Sequence, residues 1–309
     1  MADPFDPGWV PVKFARTGVQ WARRGDWRFG EPFFLQTVRR RIRPDDAGAI
    51  ASQSFIRFAM QPWTSPDEEP QVAGIIFQVS RCGSTAISQM LARDPKNIVL
   101  SEPDFMSMAC LDAWKGRIRG ESVHRLAFLG AIRSFAFARK PVERRIFIKA
   151  MPGNIHSYNW IRSVLPGTPC LFIYRQPEDV VASNLSKPPE WLGRIKSRKK
   201  RLKIMRAVLR RQMSAGLKAA DRGLQLVNYR EIGPDFPEKL DRLFALGSTP
   251  EELAAMRESL RWYSKGSGIP WNPEAQDAVS RPGDRSIPPL EIRRLYGRLE
   301  ARRVGALLG

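Results

Sequence analysis

Cysteine and histidine are scarce in this chain: three of the first and two of the second among 309 residues. Cys82, Cys110 and Cys170 form no CxxC pair and are too few for a disulfide scaffold, so a reducing compartment fits. No apolar run approaches the length of a membrane span, and the opening MADPFDPGWVPVKF lacks the basic-then-apolar pattern of a secretory leader. A cytoplasmic protein without a transmembrane segment is the expectation. No GxxxxGK[ST] loop occurs and no acidic strand end stands out as a magnesium ligand, which disfavours an ordinary ATPase. No internal repeat is visible. Acidic residues are also in deficit, 31 Asp and Glu against 51 Lys and Arg, for a net charge of +20. Such a charge attracts polyanions but names no partner. An Arg-rich solvated surface is the plainer reading, and nucleic acid is not expected as the partner.

What is present is material for a sizeable core: 43% hydrophobic residues and nine Trp. The length suits one α/β domain with terminal decorations. The stretch that organises the chain is Gly74 to Leu91, GIIFQVSRCGSTAISQML. Gly74 to Val79 is rich in Ile, Phe and Val and nearly uncharged, as in a strand buried on both faces of a parallel sheet. Ser80 to Thr85 is a tight polar turn, after which Ala86, Ile87, Met90 and Leu91 recur at helical spacing. Strand, loop and helix in this order place outward-facing N–H groups and the positive end of a helix dipole at the loop, and Gly83 permits close approach. The chemistry is that of a phosphate or sulfate socket. Cys82 lies inside it, so a thiol nucleophile is a second reading, with no His or Asp near it in sequence to serve as its base.

Residues 1–70 read as an N-terminal cap segment, with a helix over Phe33 to Ile42 whose Phe34, Leu35 and Val38 pack inward and an acidic loop at 65–70. Residues 71–309 read as the α/β domain with a helical tail. Further strands are predicted at Asn97 to Leu100, Arg145 to Lys149, Cys170 to Tyr174 and Leu224 to Asn228. Helices are predicted at 105–115 and 121–139, and after Pro177, where Glu178 and Asp179 complement the dipole. From Arg194 to Lys203 seven of ten residues are Lys or Arg. That block reads as a mobile, solvated segment, or else a lid, ahead of a basic helix reaching about Arg222. The tail reads as a helix from Pro289 to about Arg302 with Leu290, Leu295 and Leu299 on its packing face. Alternating strands and helices point to a three-layer α/β fold around a central parallel sheet.

Two segments carry a family resemblance. SRCGSTAIS resembles the 5′-phosphosulfate loop of the sulfotransferases that use 3′-phosphoadenosine 5′-phosphosulfate (PAPS), and FIYRQPEDVVASNLS resembles their 3′-phosphate motif. In the second motif the family's Arg and the Ser eight residues on correspond to Arg175 and Ser183. The two motifs stand in order, about ninety residues apart. The resemblance covers about residues 74 to 246 and implies the P-loop α/β fold, PAPS as donor with PAP as product, and transfer of a sulfuryl group to an acceptor hydroxyl or amine. It implies no metal, because cationic side chains take that place. The acceptor stays open among small molecules, sugars and peptides, as does the oligomeric state. Two rivals remain: an ATP-using phosphotransferase, and an inactive polyanion- or nucleic-acid-binding protein on the same fold.

Arg81, Glu102, Lys149, Arg175 and Tyr229 each fall at or just beyond a predicted strand's carboxyl end, where open parallel sheets bind ligands. Singly, each reads as well as a polar edge residue; five together point to one crevice. By the resemblance, Cys82, Gly83, Ser84 and Thr85 hold the 5′-phosphosulfate through backbone N–H groups, the two hydroxyls adding donors. Arg81 stabilises the leaving group, Lys149 neutralises the sulfonate, and Arg175 and Ser183 clamp the 3′-phosphate. Tyr229 begins a YREI segment similar to the family's YEDL-like one, where the Tyr contributes to adenine binding; Arg230 and Glu231 depart from the acidic pair. Lys265 and Gly266 are a partial match to the Gly-rich segment that completes the 3′-phosphate site. The family's KTH histidine is missing from Lys149-Ala150-Met151-Pro152; the resemblance implies Glu102, which follows the second strand where tyrosylprotein sulfotransferases carry a catalytic Glu, as general base, with His156 as the alternative.

Overall fold

The computed structural model describes residues 8–15, 18–41, 50–54, 57–58, 71–114, 121–262 and 288–308. Its central feature is a five-stranded parallel sheet flanked by helices. The strands are β4 (Gln71–Gln78), β5 (Asn97–Ser101), β6 (Arg145–Lys149), β7 (Cys170–Tyr174) and β8 (Gln225–Asn228), in the order β5-β6-β4-β7-β8. The predicted three-layer α/β class is therefore the observed one. β5 and β7 are buried along their whole length, as near-continuous apolar runs require in a sheet covered on both faces. Contacts divide the chain into two units: Met1–Ile75 with Ser88–Thr168, and Ile76–Ile87 with Pro169–Gly309.

The first unit contains a sheet that the sequence reading did not anticipate. β1 (Trp9–Ala15), β2 (Gly18–Arg23) and β3 (Ile50–Gln53) pair antiparallel in that order. Pro11 has no N–H to give a ladder, and the register breaks between Pro11 and Lys13, the irregularity that accommodates it. Val10, Phe14, Val19 and Trp21 are buried, and Phe14 and Trp21 meet Phe58 edge-on at 5.6 and 5.2 Å. The helix predicted at 33–42 is α1 (Phe34–Arg41). Phe34 and Thr37 are buried, whereas Leu35 and Val38 are only half-buried. Phe34 stacks on Phe29 at 5.5 Å, and both meet Phe135 of the helix Glu121–Phe137 edge-on.

An ion pair lies inside this unit. Arg24, just past β2, is 1% exposed, donates to Glu143 Oε1 at 2.5 Å and to the Ala138 carbonyl at 2.8 Å, and lies over the Phe29 ring. The other Glu143 oxygen accepts from the Lys140 N–H at 2.7 Å. Two buried charges are tolerated here because they neutralise each other and each carboxylate oxygen accepts a hydrogen bond.

In the second unit the basic block behaves differently from the mobile segment expected of it. Arg198 to Lys203 form the first turns of the helix Arg198–Ala220, and Ser197 caps it by accepting from the Lys200 N–H at 3.3 Å. A serine ahead of a repeating Leu202, Met205, Leu209 face is a helix start, and the charges ride on its solvent side. At Gly216 a side chain would collide with the Phe172 ring, so the helix lies on β7 by virtue of that glycine. The tail helix runs Leu290–Leu308, longer than predicted. Ile292 and Leu299 are its buried residues, Leu295 is half-buried, and Leu290, expected to pack, is 55% exposed. Ile292 and Leu299 lie two turns apart on one face, and Leu290 is rotated away from it.

Removing one member of the Arg24–Glu143 pair strands the other in an apolar environment. Glu143→Ala is expected to cost about 3–5 kcal/mol of stability, measured by urea denaturation of the purified chain; a loss under about 1 kcal/mol would mean that the guanidinium relaxes to solvent.

Candidate functional site

β4 and β7 are neighbours, and the Val79 N–H donates to the Ile173 carbonyl at 3.0 Å. The loop after β4 and the residues after β7 therefore leave the sheet side by side, within the second unit. In the loop Arg81 (φ 62°) and Gly83 (φ 84°) both adopt left-handed backbone conformations. A chain that enters this region at alternate residues turns successive N–H groups toward one side, the geometry of an anion-binding concavity. Gly83 leads directly into the helix Ser84–Arg93. Ser80 Oγ donates to Asn184 Oδ1 at 2.9 Å, the Ser84 hydroxyl donates to Gln78 Oε1, and the Arg81 guanidinium donates to the Lys187 carbonyl. Cys82 is fully buried, so its thiol is sealed from any substrate. Ser84 and Thr85 are nearly so.

Arg175 follows β7 directly. Its guanidinium carbon stands 4.2 Å from the centroid of the Tyr229 ring and its Nε donates to Asp179 at 3.3 Å, one turn along the helix Pro177–Ser186. Ser183 lies a further turn on and is half-buried. Tyr229 follows β8 directly and opens the turn Tyr229–Glu231. Its ring also rests on the loop: a Cβ built at Gly83 would stand 2.7 Å from it and 2.8 Å from the Ile232 side chain. The close approach for which Gly83 is needed is thus made by an aromatic ring of the protein itself. One ring touches both the loop after β4 and Arg175, which brings together residues about ninety positions apart.

Glu102 and Lys149 meet in the first unit. Ser101 and Lys149 are opposite in the β5–β6 register, and the Glu102 N–H donates to the Lys149 carbonyl at 2.7 Å. Lys149 is completely buried; its ammonium lies 3.2 Å from Glu102 Oε1 and 4.7 Å from the Phe33 ring centroid. Glu102 adopts φ 60°. Lys149, which the resemblance assigns to the sulfonate, is therefore held in an enclosed ion pair. His156 lies in the 3₁₀ turn Pro152–Ser157 and is half-buried. In the same turn Asn154 and Ser157 face Cys110, whose thiol burial pushes up to about 12, against the lowering effect of their hydrogen bonds. Lys265 and Gly266 lie outside the described residues.

Sequence reasoning missed the residues beneath Arg175 and Tyr229. Asn228, the last residue of β8, caps the Tyr229 turn by accepting from the Arg230 N–H at 3.0 Å. Its amide nitrogen donates to Glu300 Oε1 at 2.8 Å and to the Tyr296 hydroxyl at 3.0 Å, both on the tail helix. Tyr174 also donates to Glu300, and Arg303 binds that carboxylate at 3.0 and 3.2 Å. Burial works against the charged Glu300, but the Arg303, Tyr174 and Asn228 hydrogen bonds outweigh it and hold its pKa below the usual range. Burial, then the Glu300 acceptor, pushes the Tyr174 hydroxyl far up. No local pattern marks Glu300, since its partners lie 72 and 126 residues away.

No family model and no curated protein matches this chain. Among solved structures the outcome is different. The chain is similar in structure to sulfotransferase STF9 from Mycobacterium avium. The match covers 70% of this chain and 76% of that one, at 15% sequence identity and a TM-score of 0.44. At that identity the likeness does not extend to activity. Among the described residues no helix is long and apolar enough to cross a membrane.

Two outcomes are expected of this site. Gly83→Ala places a side chain in a left-handed conformation and against Tyr229, and should cost about 2 kcal/mol or more; in a denaturation cycle with Tyr229→Ala the two losses should fall short of additive. Glu300, with its folded pKa lowered, contributes stability present above about pH 4.3, the ordinary Glu value, and lost as pH falls through the folded pKa. Melting temperature followed from neutral pH downward should therefore fall more steeply for the wild type than for Glu300→Gln.

Proposed function

We propose that this protein is a PAPS-dependent sulfotransferase, transferring a sulfuryl group to an acceptor hydroxyl or amine. The observation that carries the reading is the Tyr229 ring, which lies against Gly83 of the 5′-loop and under Arg175 of the 3′-phosphate motif. The two resembling motifs are thereby one ring's width apart, a separation a single nucleotide can bridge. A phosphate on the 3′ position is what distinguishes PAPS from ATP, and Arg175 is the cation placed to read it.

Donor binding falls to the second unit's residues. The left-handed loop and the amides of Gly83, Ser84 and Thr85 offer donors to the 5′-phosphosulfate, with Arg81 beside them and Tyr229 against the adenine. Ser183 joins Arg175 at the 3′-phosphate, and Lys265 and Gly266 belong to the same reading. The donor supplies the sulfuryl group, and transfer in line asks of the protein alignment, charge stabilisation and removal of the acceptor's proton. Glu102 is the base on this reading and Lys149 the cation for the sulfonate, both by the resemblance, with His156 the second choice of base. Cys82, Cys110 and Cys170 are buried thiols, in accord with the cytoplasmic setting of this reading.

One observation favours the polyanion-binding alternative: the helix Arg198–Ala220 carries nine Lys and Arg and no Asp or Glu. Heparin or duplex DNA binding with a steep salt dependence that survives Arg175→Ala would favour it.

Thermal shift separates the readings. PAP should raise the melting temperature more than ADP does, and Arg175→Ala should erase the difference; equal shifts in the wild type point to a phosphotransferase. Glu102→Gln should lower turnover of labelled sulfate from PAPS into a cell extract by about 10²-fold or more while PAP binding is retained. Unchanged turnover in that variant moves the base to His156.

A further inference from the structure

Tyr174 and Asn228 are the last residues of β7 and β8 and lie opposite each other in the parallel register. One carboxylate from the tail helix holds both: Glu300 Oε1 accepts from the Tyr174 hydroxyl and the Asn228 side-chain amide. The next residue on each strand is Arg175 and Tyr229, the stacked pair. Beyond them Arg230 donates to Gln176 Oε1 at 2.6 Å. Three side-chain rungs thus continue the pairing of β7 and β8, the first on their last paired residues and two beyond the sheet, with the donor-site residues as the middle one.

The lowest rung is the most strongly braced. Arg303 binds Glu300 and reaches Glu231 at 3.5 Å, and Glu231 in turn accepts from the Asn228 N–H at 2.7 Å and from the Lys239 ammonium. Tyr174 and Asn228 are buried. Arginine and tyrosine have long or swinging side chains, and such a pair keeps one geometry only when the backbone beneath each is fixed.

We infer that Glu300 is a positioning residue of the donor site: by tying Tyr174 to Asn228 it sets the spacing at which Arg175 and Tyr229 meet to receive the 3′-phosphate and base. The assignment makes the tail helix part of the nucleotide site, and for the ligand's identity it rests on the sulfotransferase reading. Glu300 does not touch the donor itself. Its effect is on affinity for the nucleotide and not on the chemical step.

Calorimetric titration of the full chain with PAP and with ADP tests this. Glu300→Ala should weaken PAP binding by about tenfold and narrow the preference for PAP over ADP. Glu300→Gln keeps an acceptor for Tyr174 and Asn228 and should recover most of the loss. Tyr174→Phe removes one hydroxyl and leaves the ring, so it keeps the test open if Glu300→Ala does not fold; it should show a smaller loss of the same kind. In turnover, the KM for PAPS should rise with kcat little changed. Glu143→Gln, in the first unit's buried ion pair, should lower stability without changing PAP affinity. Wild-type PAP affinity in both Glu300→Ala and Tyr174→Phe overturns the positioning role, as does an equal loss in Glu143→Gln. Equal wild-type affinity for PAP and ADP overturns the donor reading instead.

Discussion

A single aromatic ring imposes the tightest constraint on the second unit. Tyr229 leaves the end of β8 and lies on the backbone at Gly83, where no side chain fits, while the guanidinium of Arg175 covers it from the end of β7. The contact requires a glycine in the loop, an aromatic residue one position past one strand and a cation one position past its neighbour. A planar cation on a ring gains from its electrostatics and from excluding water between two flat faces. The same packing leaves the Arg175 side chain only 8% exposed and directs it by its bond to Asp179.

Beneath that ring the sheet's end is bound into the rest of its unit. The tail helix reaches both strand ends through Glu300, Tyr296 and Arg303, so the last residues of the chain act on its middle. Hydrogen bonds of this kind are individually modest, but a network in which each acceptor has several donors holds one arrangement against its alternatives. In the first unit the corresponding economy is one of buried cations. Arg24 is matched by Glu143, and Lys149 by Glu102, each beside a phenylalanine face. Any anion drawn to Lys149 must share it with Glu102.

The excess of positive charge has a place in the fold. The helix Arg198–Ala220 buries Met205, Leu209 and Met213 and keeps Lys199, Lys200, Lys203, Arg210 and Arg211 at the surface. The tail helix, which packs on it, adds Arg293, Arg294 and Arg298. A positive field of this extent draws anionic ligands in from solution and is screened by salt.

Period and punctuation in the amino-acid order were enough to specify the parallel sheet. RIFIK and CLFIY are strands from end to end, and Arg81, Glu102, Lys149, Arg175 and Tyr229 all stand just at or past the carboxyl ends of strands, because alternation, burial and turn residues are local signals. Pro11 hid the N-terminal antiparallel sheet, whose bulge only a partner strand reveals, and the basic block disguised the first turns of a helix that its serine cap begins. Which groups meet was decided by the tertiary structure alone. That Lys149 is enclosed by Glu102, that Tyr229 lies against Gly83, and that Glu300 ties two strand ends are facts about residues 47 to 146 positions apart, and no periodicity in the chain encodes distances of that range.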